Sequence, residues 1–246
     1  MWLPESIVWL DVGWLMMLSG FTSFITAALG IGGGVLLLAV LSQMLPLAAL
    51  IPVHGLVQLG SNGNRAWMTR RHVDWQVVGL FLGGAVLGAV AASFVVVQLP
   101  LDLLRISVAL FIIYLVWGPK PAKVSLSSTQ LFAAGGLTTL LSAFVGATGP
   151  LVAAVLHRRK LSKLQTVATF ATCMSFQHLL KGVVFSVVGF AFSEWLWVIL
   201  LMIAAGVAGT WLGLKVLNRI PAAMFSWVFR GVVTLLALRL LYQGLT

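Results

Sequence analysis

Carboxylates are almost absent from this sequence. Its 246 residues hold five Asp and Glu against fifteen Lys and Arg, and charged residues make up 8% of the chain. A soluble domain carries about a quarter charged residues, so too few are present to cover a water-facing surface. That shortage excludes a soluble enzyme, a nucleic-acid-binding domain and a disordered chain. A single cysteine, Cys173, leaves no intrachain disulfide and no multi-cysteine metal or redox site. HExxH, a GxSxG-type serine motif and an intramembrane Asp pair are also missing, and the four His are scattered. Neither catalysis, nor a metal site, nor a cofactor is therefore expected. The stretch Met1 to Asp11 has two acids and no base, without the charged start and cleavage site of a signal peptide.

What fills the chain instead is apolar. Hydrophobic residues make up 61% of it, and the mean hydropathy is +1.08. The formal charge of +10 lies in short basic clusters between long apolar runs, the mark of a multi-spanning membrane protein with cytoplasmic Lys and Arg rather than of nucleic-acid binding. A bilayer core of roughly 30 Å needs about 20 apolar residues per helix. Apolar segments run over 7–45, 47–69, 75–98, 101–117, 127–156, 163–190, 194–215 and 222–243, leaving no room for a soluble domain. The expected fold is an all-α integral membrane protein. A linker at 119–128, with Pro119, Lys120, Pro121 and Lys123, separates a first membrane repeat, 1–118, from a second, 129–246. Trp67, Trp75, Trp117, Trp195 and Trp197 stand near segment ends and read as an interfacial belt.

The two halves match. An offset of 116 residues places Gly20 on Gly136, Gly30 on Gly146, Gly33 on Gly149 and Arg65 on Lys181. Further along, an offset of 121 places Gly88 on Gly209 and Pro100 on Pro221. Together these matches indicate a four-segment duplication. Segments 1 and 5 are unusual. As one straight helix, residues 7–45 would run about 58 Å, nearly twice the hydrocarbon thickness. Each is interrupted at the matched place, by Gly30-Ile31-Gly32-Gly33-Gly34 and by Gly146-Ala147-Thr148-Gly149-Pro150. Each is therefore expected as two shorter helices meeting at a break, which becomes a re-entrant hairpin if the chain turns back there. If segments 1 and 5 return to the side they entered and the other six cross, Arg70, Arg71, His72, Lys120, Lys123, Arg158, Arg159, Lys160, Lys163, Lys215 and Arg219 share the inside. Glu5, Asp11, Asp102 and Glu194 then lie outside with both termini, and the repeats are inverted.

Three cations fall within segments: Arg65, Lys181 and Arg230. A charge near the bilayer interior costs at least a few kcal/mol unless it is partnered or hydrated, and no carboxylate lies at matching depth. An anionic ligand in a polar cavity supplies the compensating charge for Arg65 and Lys181; the plainer reading is snorkelling toward the Arg70 cluster. Arg230 has no repeat counterpart and is as readily structural. His54, Gln58, Ser61, Asn62 and Arg65 share one face of segment 2, and the matched face of segment 6 carries Phe170, Met174, Gln177, His178 and Lys181. Such stripes suit either a shared cavity or interhelical hydrogen bonding. We read Gln58 as the latter, and Asn62 with Arg65 and His178 with Lys181 as the former. Gly32, Gly33, Gly34, Thr148 and Gly149 add a second device, since a half-helix N-terminus presents free N–H groups to an anion. The candidate substrate ligands are thus Gly32, Gly33, Gly34, Ser61, Asn62, Arg65, Thr148, Gly149, Gln177, His178 and Lys181. His54 and His178 are the candidates for proton coupling. Gly79, Gly83, Gly84 and Gly88 on segment 3 suit close helix packing, within the chain or in a homodimer.

The Gly30–Gly34 break, the run Ser61-Asn62-Gly63-Asn64-Arg65 and the two-half organisation resemble the TauE/SafE sulfite exporter family, also called the TSUP (toluene sulfonate uptake permease) family. The resemblance extends over nearly the full chain. It implies a transporter in the bacterial cytoplasmic (inner) membrane for small sulfur-containing anions: sulfite, thiosulfate, or organosulfonates such as sulfoacetate. The second half departs from the first, with Gly146-Ala147-Thr148-Gly149-Pro150 in place of the glycine run and His178 and Lys181 in place of Asn62 and Arg65. The resulting expectation is alternating access, with the anion held near the midplane between the two breaks. An uncoupled anion channel or uniporter, and a non-transporting membrane chaperone or assembly factor, are the rivals. Flux against a pH gradient separates the first rival, and insensitivity to Arg65→Ala and Lys181→Ala marks the second.

Overall fold

The computed structural model describes residues 3–29, 32–95, 101–118, 127–159, 161–217 and 222–245. Gly30, Ile31, Pro100, Lys120, Lys123, Lys160, Arg219, Pro221 and most of the 119–128 linker lie outside the described residues. Among those described, the chain forms ten α-helices and no strand. They are α1 (Trp9–Leu29), α2 (Gly33–Met44), α3 (Leu47–Met68), α4 (Trp75–Val95), α5 (Leu101–Trp117), α6 (Ser128–Val145), α7 (Gly149–Leu156), α8 (Lys163–Val187), α9 (Phe192–Lys215) and α10 (Ala222–Leu245).

Segments 1 and 5 are both split where the glycines interrupt them, into α1 and α2 and into α6 and α7. At each split one glycine takes a backbone conformation that a side chain disfavours: Gly32, with φ 106° before α2, and Gly146, with φ 81° after α6. The first break reverses the chain. A straight helix would carry Gly33 about 16 Å along the axis from Thr22, yet a Cβ on Gly33 would collide with the Thr22 carbonyl and the Thr26 hydroxyl. Helices α6 and α8 start in the same way, each with a Ser–x–x–Gln capping box, Ser127 with Gln130 and Ser162 with Gln165.

Helices α3 and α8 pair at the centre. Helix α9 packs on α1 and α3, α4 packs on α6 and α8, and α5 pairs with α10. Close helix crossings fall on the glycines that the two offsets matched. A Cβ on Gly88 would strike the Gly136 carbonyl, and a Cβ on Gly209 would strike the Gly20 carbonyl. Two helical turns back along α4, the Phe81 carbonyl lies against Gly135, while at the matched position of α9 the Met202 carbonyl accepts from the Ser19 hydroxyl at 2.7 Å. Gly83, Gly84 and Gly88 thus pack within the chain against α6, whereas Gly79 faces open space.

Helices α1, α4, α6 and α9 are long and apolar enough to cross a membrane. Their outer faces are greasy: Leu10, Trp14, Met17 and Phe21 on α1, Leu87, Val90 and Phe94 on α4, and Leu196, Leu200 and Trp211 on α9 are all exposed. Water would not tolerate stripes of this size, and lipid suits them. The protein is a multi-pass membrane protein. Trp67, Trp75, Trp117 and Trp197 are exposed, as an interfacial belt requires, but Trp195 is not. It is 5% exposed and packs with Val198, Ile199 and Met202 in the main core, because its position on α9 turns it inward.

Candidate functional site

The polar residues of α3 and α8 are buried where the two helices meet. His54, Gln58, Ser61, Asn62 and Arg65 on α3, with Gln177, His178 and Lys181 on α8, are all buried. A small cavity lies beside them, lined by Thr26, Gly32, Gly34, His54, Gln58, Asn62, Ala147, Gly149, Pro150, Phe170, Met174 and His178. Both breaks and both central helices contribute to its wall. Space open to the centre of a water molecule is about 30 Å³, enough for about two waters.

Two imidazoles dominate the polar part of the wall. The rings of His54 and His178 meet edge to face with centroids 6.0 Å apart. The Nε2 atom of His54 lies 3.0 Å from the Gly34 carbonyl, which ties α3 to the first turn of α2. The Nδ1 atoms of both rings are buried and have no hydrogen-bond partner among the described residues. Buried polar atoms are usually paired, so these two nitrogens are exceptions. The first N–H groups of α2, at Gly33 and Gly34, have no intrahelical acceptor. The Asn62 amide donates to the Gln58 backbone carbonyl at 2.9 Å and to Gln58 Oε1 at 3.1 Å.

The remaining candidates form a polar layer behind this cavity rather than its lining. The Arg65 guanidinium is 0% exposed and does not snorkel. It donates to Asn62 Oδ1 at 3.2 Å and lies 3.5 Å from Ser61 Oγ, while its Nε has no partner among the described residues. Ser61 in turn meets Ser23 of α1 at 2.9 Å. On α8, Gln177 accepts from Thr148 at 2.8 Å and donates to Thr138 at 3.1 Å and Thr139 at 3.2 Å. Lys181 donates to the Gly146 carbonyl at 2.7 Å and to Ser142 at 3.1 Å. Gly33 faces Thr22 and Thr26 instead of the cavity. Arg230 lies apart from all of this, 5.6 Å over the Trp117 ring.

Hence the structure brings Gly32, Gly34, Asn62, Gly149, His178 and His54 to one cavity, and sets Gly33, Ser61, Arg65, Thr148, Gln177 and Lys181 around it. Gln58, read from sequence as an interhelical hydrogen-bonding residue, lines the cavity. Thr26 and the hydroxyl partners Ser23, Thr138, Thr139 and Ser142 were not singled out from sequence. A signal for them was there: the 116-residue offset lays Thr22-Ser23 on Thr138-Thr139 and Thr26 on Ser142.

No curated protein and no solved structure matches the chain. A family model, described as sulfite exporter TauE/SafE, matches residues 15–240, which include both breaks, both central helices and every cavity-lining residue. The family is one of membrane transporters for sulfur anions, not of enzymes, and this chain belongs to the TauE/SafE sulfite exporter family.

Proposed function

We propose that this protein moves a small sulfur-containing anion, such as sulfite, thiosulfate or an organosulfonate like sulfoacetate, across a bacterial cytoplasmic membrane by alternating access. The observation that carries the reading is the cavity between the two breaks, walled by both halves and edged by two imidazoles with unpaired Nδ1 atoms. Transporter sites commonly lie where broken helices of two repeats meet. Oxygens of the anion would take the N–H groups at the start of α2, His178 and the Asn62 amide, which would exchange its Gln58 side-chain partner for the anion, and Arg65 would balance charge from behind Asn62. With room for about two waters, the cavity would open to the anion only as the breaks part.

We infer further that the halves are inverted repeats, 1–118 and 129–246, with α1–α2 and α6–α7 as re-entrant hairpins. Exchanging α1 with α6, α3 with α8, α4 with α9 and α5 with α10 leaves the principal helix pairs unchanged, which supports the duplication. The chain reversal at Gly33 supports the first hairpin. His54 and His178 would carry any coupled proton, since no Asp or Glu lines the cavity.

The test is thermal stabilisation of the purified protein by sulfite, thiosulfate, sulfoacetate, taurine, sulfate, acetate and chloride. A ligand at 100 times its Kd adds about 2.7 kcal/mol of apparent stability. Selective stabilisation by a sulfur anion, lost in Asn62→Ala and His178→Ala, is the expected result. An unselective response, or a selective one that both variants keep, would sink the proposed site.

A further inference from the structure

Lys181 is the least expected side chain at the breaks. It is 2% exposed, and no carboxylate is paired with it among the described residues. Its ammonium is met by the Gly146 carbonyl at 2.7 Å and Ser142 Oγ at 3.1 Å, both at the C-terminal end of α6. The final carbonyls of a helix lack intrahelical donors, and they carry the negative end of its dipole. A helix end of this kind inside a membrane is a ready site for a small hard cation, and unwound carbonyls at such ends hold Na⁺ in transporters of other architectures.

The route by which the lysine arrives is built into the packing. Its stem crosses α3 at Gly55, where a Cβ would stand 2.9 Å from Lys181 Cε. One turn earlier on α8, Gln177 accepts from Thr148, the residue before α7. The two side chains of α8 therefore hold the two edges of one break, Lys181 the end of α6 and Gln177 the start of α7.

We propose that the Lys181 ammonium occupies a cation site formed by the α6 helix end, Gly146 and Ser142, and serves there as a tethered replacement for a free monovalent cation. The break needs no Na⁺ in this chain because the sequence supplies the charge. Removing the ammonium leaves the oxygens facing an empty space and opens the site to Na⁺, Li⁺ or a small alkylammonium. The proposal stands apart from the anion reading, and its test reads cation dependence without any anion substrate.

The experiment compares melting midpoints of the purified full-length wild type, Lys181→Ala and Lys181→Met in choline chloride with those in NaCl, LiCl, KCl and methylammonium chloride at equal ionic strength. Wild type should melt at the same temperature in all five. Lys181→Ala should melt lower in choline and recover saturably in one of the small cations, by roughly 5–10 °C when that cation reaches 100 times its Kd. Lys181→Met, which fills the space without charge, should not recover. Purification of Lys181→Ala only in the presence of one such cation would be the same result in a stronger form. Selective stabilisation of wild type by Na⁺ would overturn the proposal. So would a Lys181→Ala protein that is equally unstable, or lost, in every salt.

Discussion

Helix crossings at glycine make a demanding prediction, because the same contact occurs twice and each contact has two unequal sides. At the α1–α9 crossing, a methyl group on Gly209 would collide with the Gly20 backbone, with the carbonyl carbon at 2.8 Å and Cα at 3.1 Å, whereas one on Gly20 would meet the Ala205 carbonyl oxygen at 3.3 Å. The α4–α6 crossing repeats the asymmetry. A methyl on Gly88 would meet the Gly136 carbonyl carbon at 2.9 Å and Cα at 3.0 Å, and one on Gly136 would lie 3.2 Å from the Gly84 oxygen. Backbone cannot swing aside, so Gly209→Ala and Gly88→Ala must push their helices apart. Overpacking of this kind costs up to about 3 kcal/mol, and gaps of 0.5–1 Å elsewhere along the pair forfeit a quarter to a half of each lost contact. Replacing a helical glycine by alanine returns about 1 kcal/mol. The net is about 2 kcal/mol, or roughly 30-fold in the folded population. Gly20→Ala and Gly136→Ala need a shift of only a few tenths of an ångström, so cost and gain nearly cancel. Gly79→Ala, with nothing within 4 Å, should be neutral or mildly stabilising. Equilibrium unfolding in mixed detergent micelles would rank the five variants. If Gly209→Ala and Gly88→Ala were as stable as wild type, or if only one of the two lost stability, the argument from repeated close approach would be refuted.

Three other perturbations follow from the same geometry. Gln177→Leu strips partners from Thr148, Thr138 and Thr139 and should destabilise by about 1–3 kcal/mol, more than Ser61→Ala, which gives up the Ser23 contact; unfolding midpoints of the two variants decide the order. Gly33→Ala would drive a methyl into the Thr22 carbonyl and should abolish anion flux, whereas Gly79→Ala, with nothing within 4 Å, should retain it. Proteoliposome uptake of the stabilising anion compares them directly. Trp195→Ala, at a buried site, should cost about 3–5 kcal/mol, more than Trp197→Ala, 43% exposed; equal effects in a melting assay would argue against the inward turn of Trp195.

Much of the architecture was legible because membranes constrain sequences strongly. Scarce charge and long apolar runs forced a helical membrane protein, since only helices or closed barrels satisfy the backbone in lipid. The glycine motifs marked both breaks, because Gly32 and Gly146 adopt positive φ there. Matched glycines anticipated the crossings, and the polar stripes on α3 and α8 marked the two central helices. Periodicity tells which face of a helix is polar, and the run Ser61-Asn62-Gly63-Asn64-Arg65 tells which family the chain resembles.

What a polar face touches is another matter, because a side chain's partner comes from a helix distant in sequence. Arg65 and Lys181 looked like a matched pair aimed at one anion. Only the packing sends Lys181 across Gly55 to the end of α6 and turns Arg65 back onto Asn62 and Ser61. Gln58, read as a hydrogen-bonding residue, lines the cavity, because the chain reversal at Gly33 brings α2 against it. Trp195 and Trp197 are two positions apart at the start of one helix, and the angle at which α9 meets its neighbours buries the first and exposes the second. Composition and period thus determined the solvent, the helices and their breaks. The choice of which polar atoms meet, and which stay unpaired beside a cavity, belonged to the tertiary structure, since it depends on contacts between residues more than a hundred positions apart.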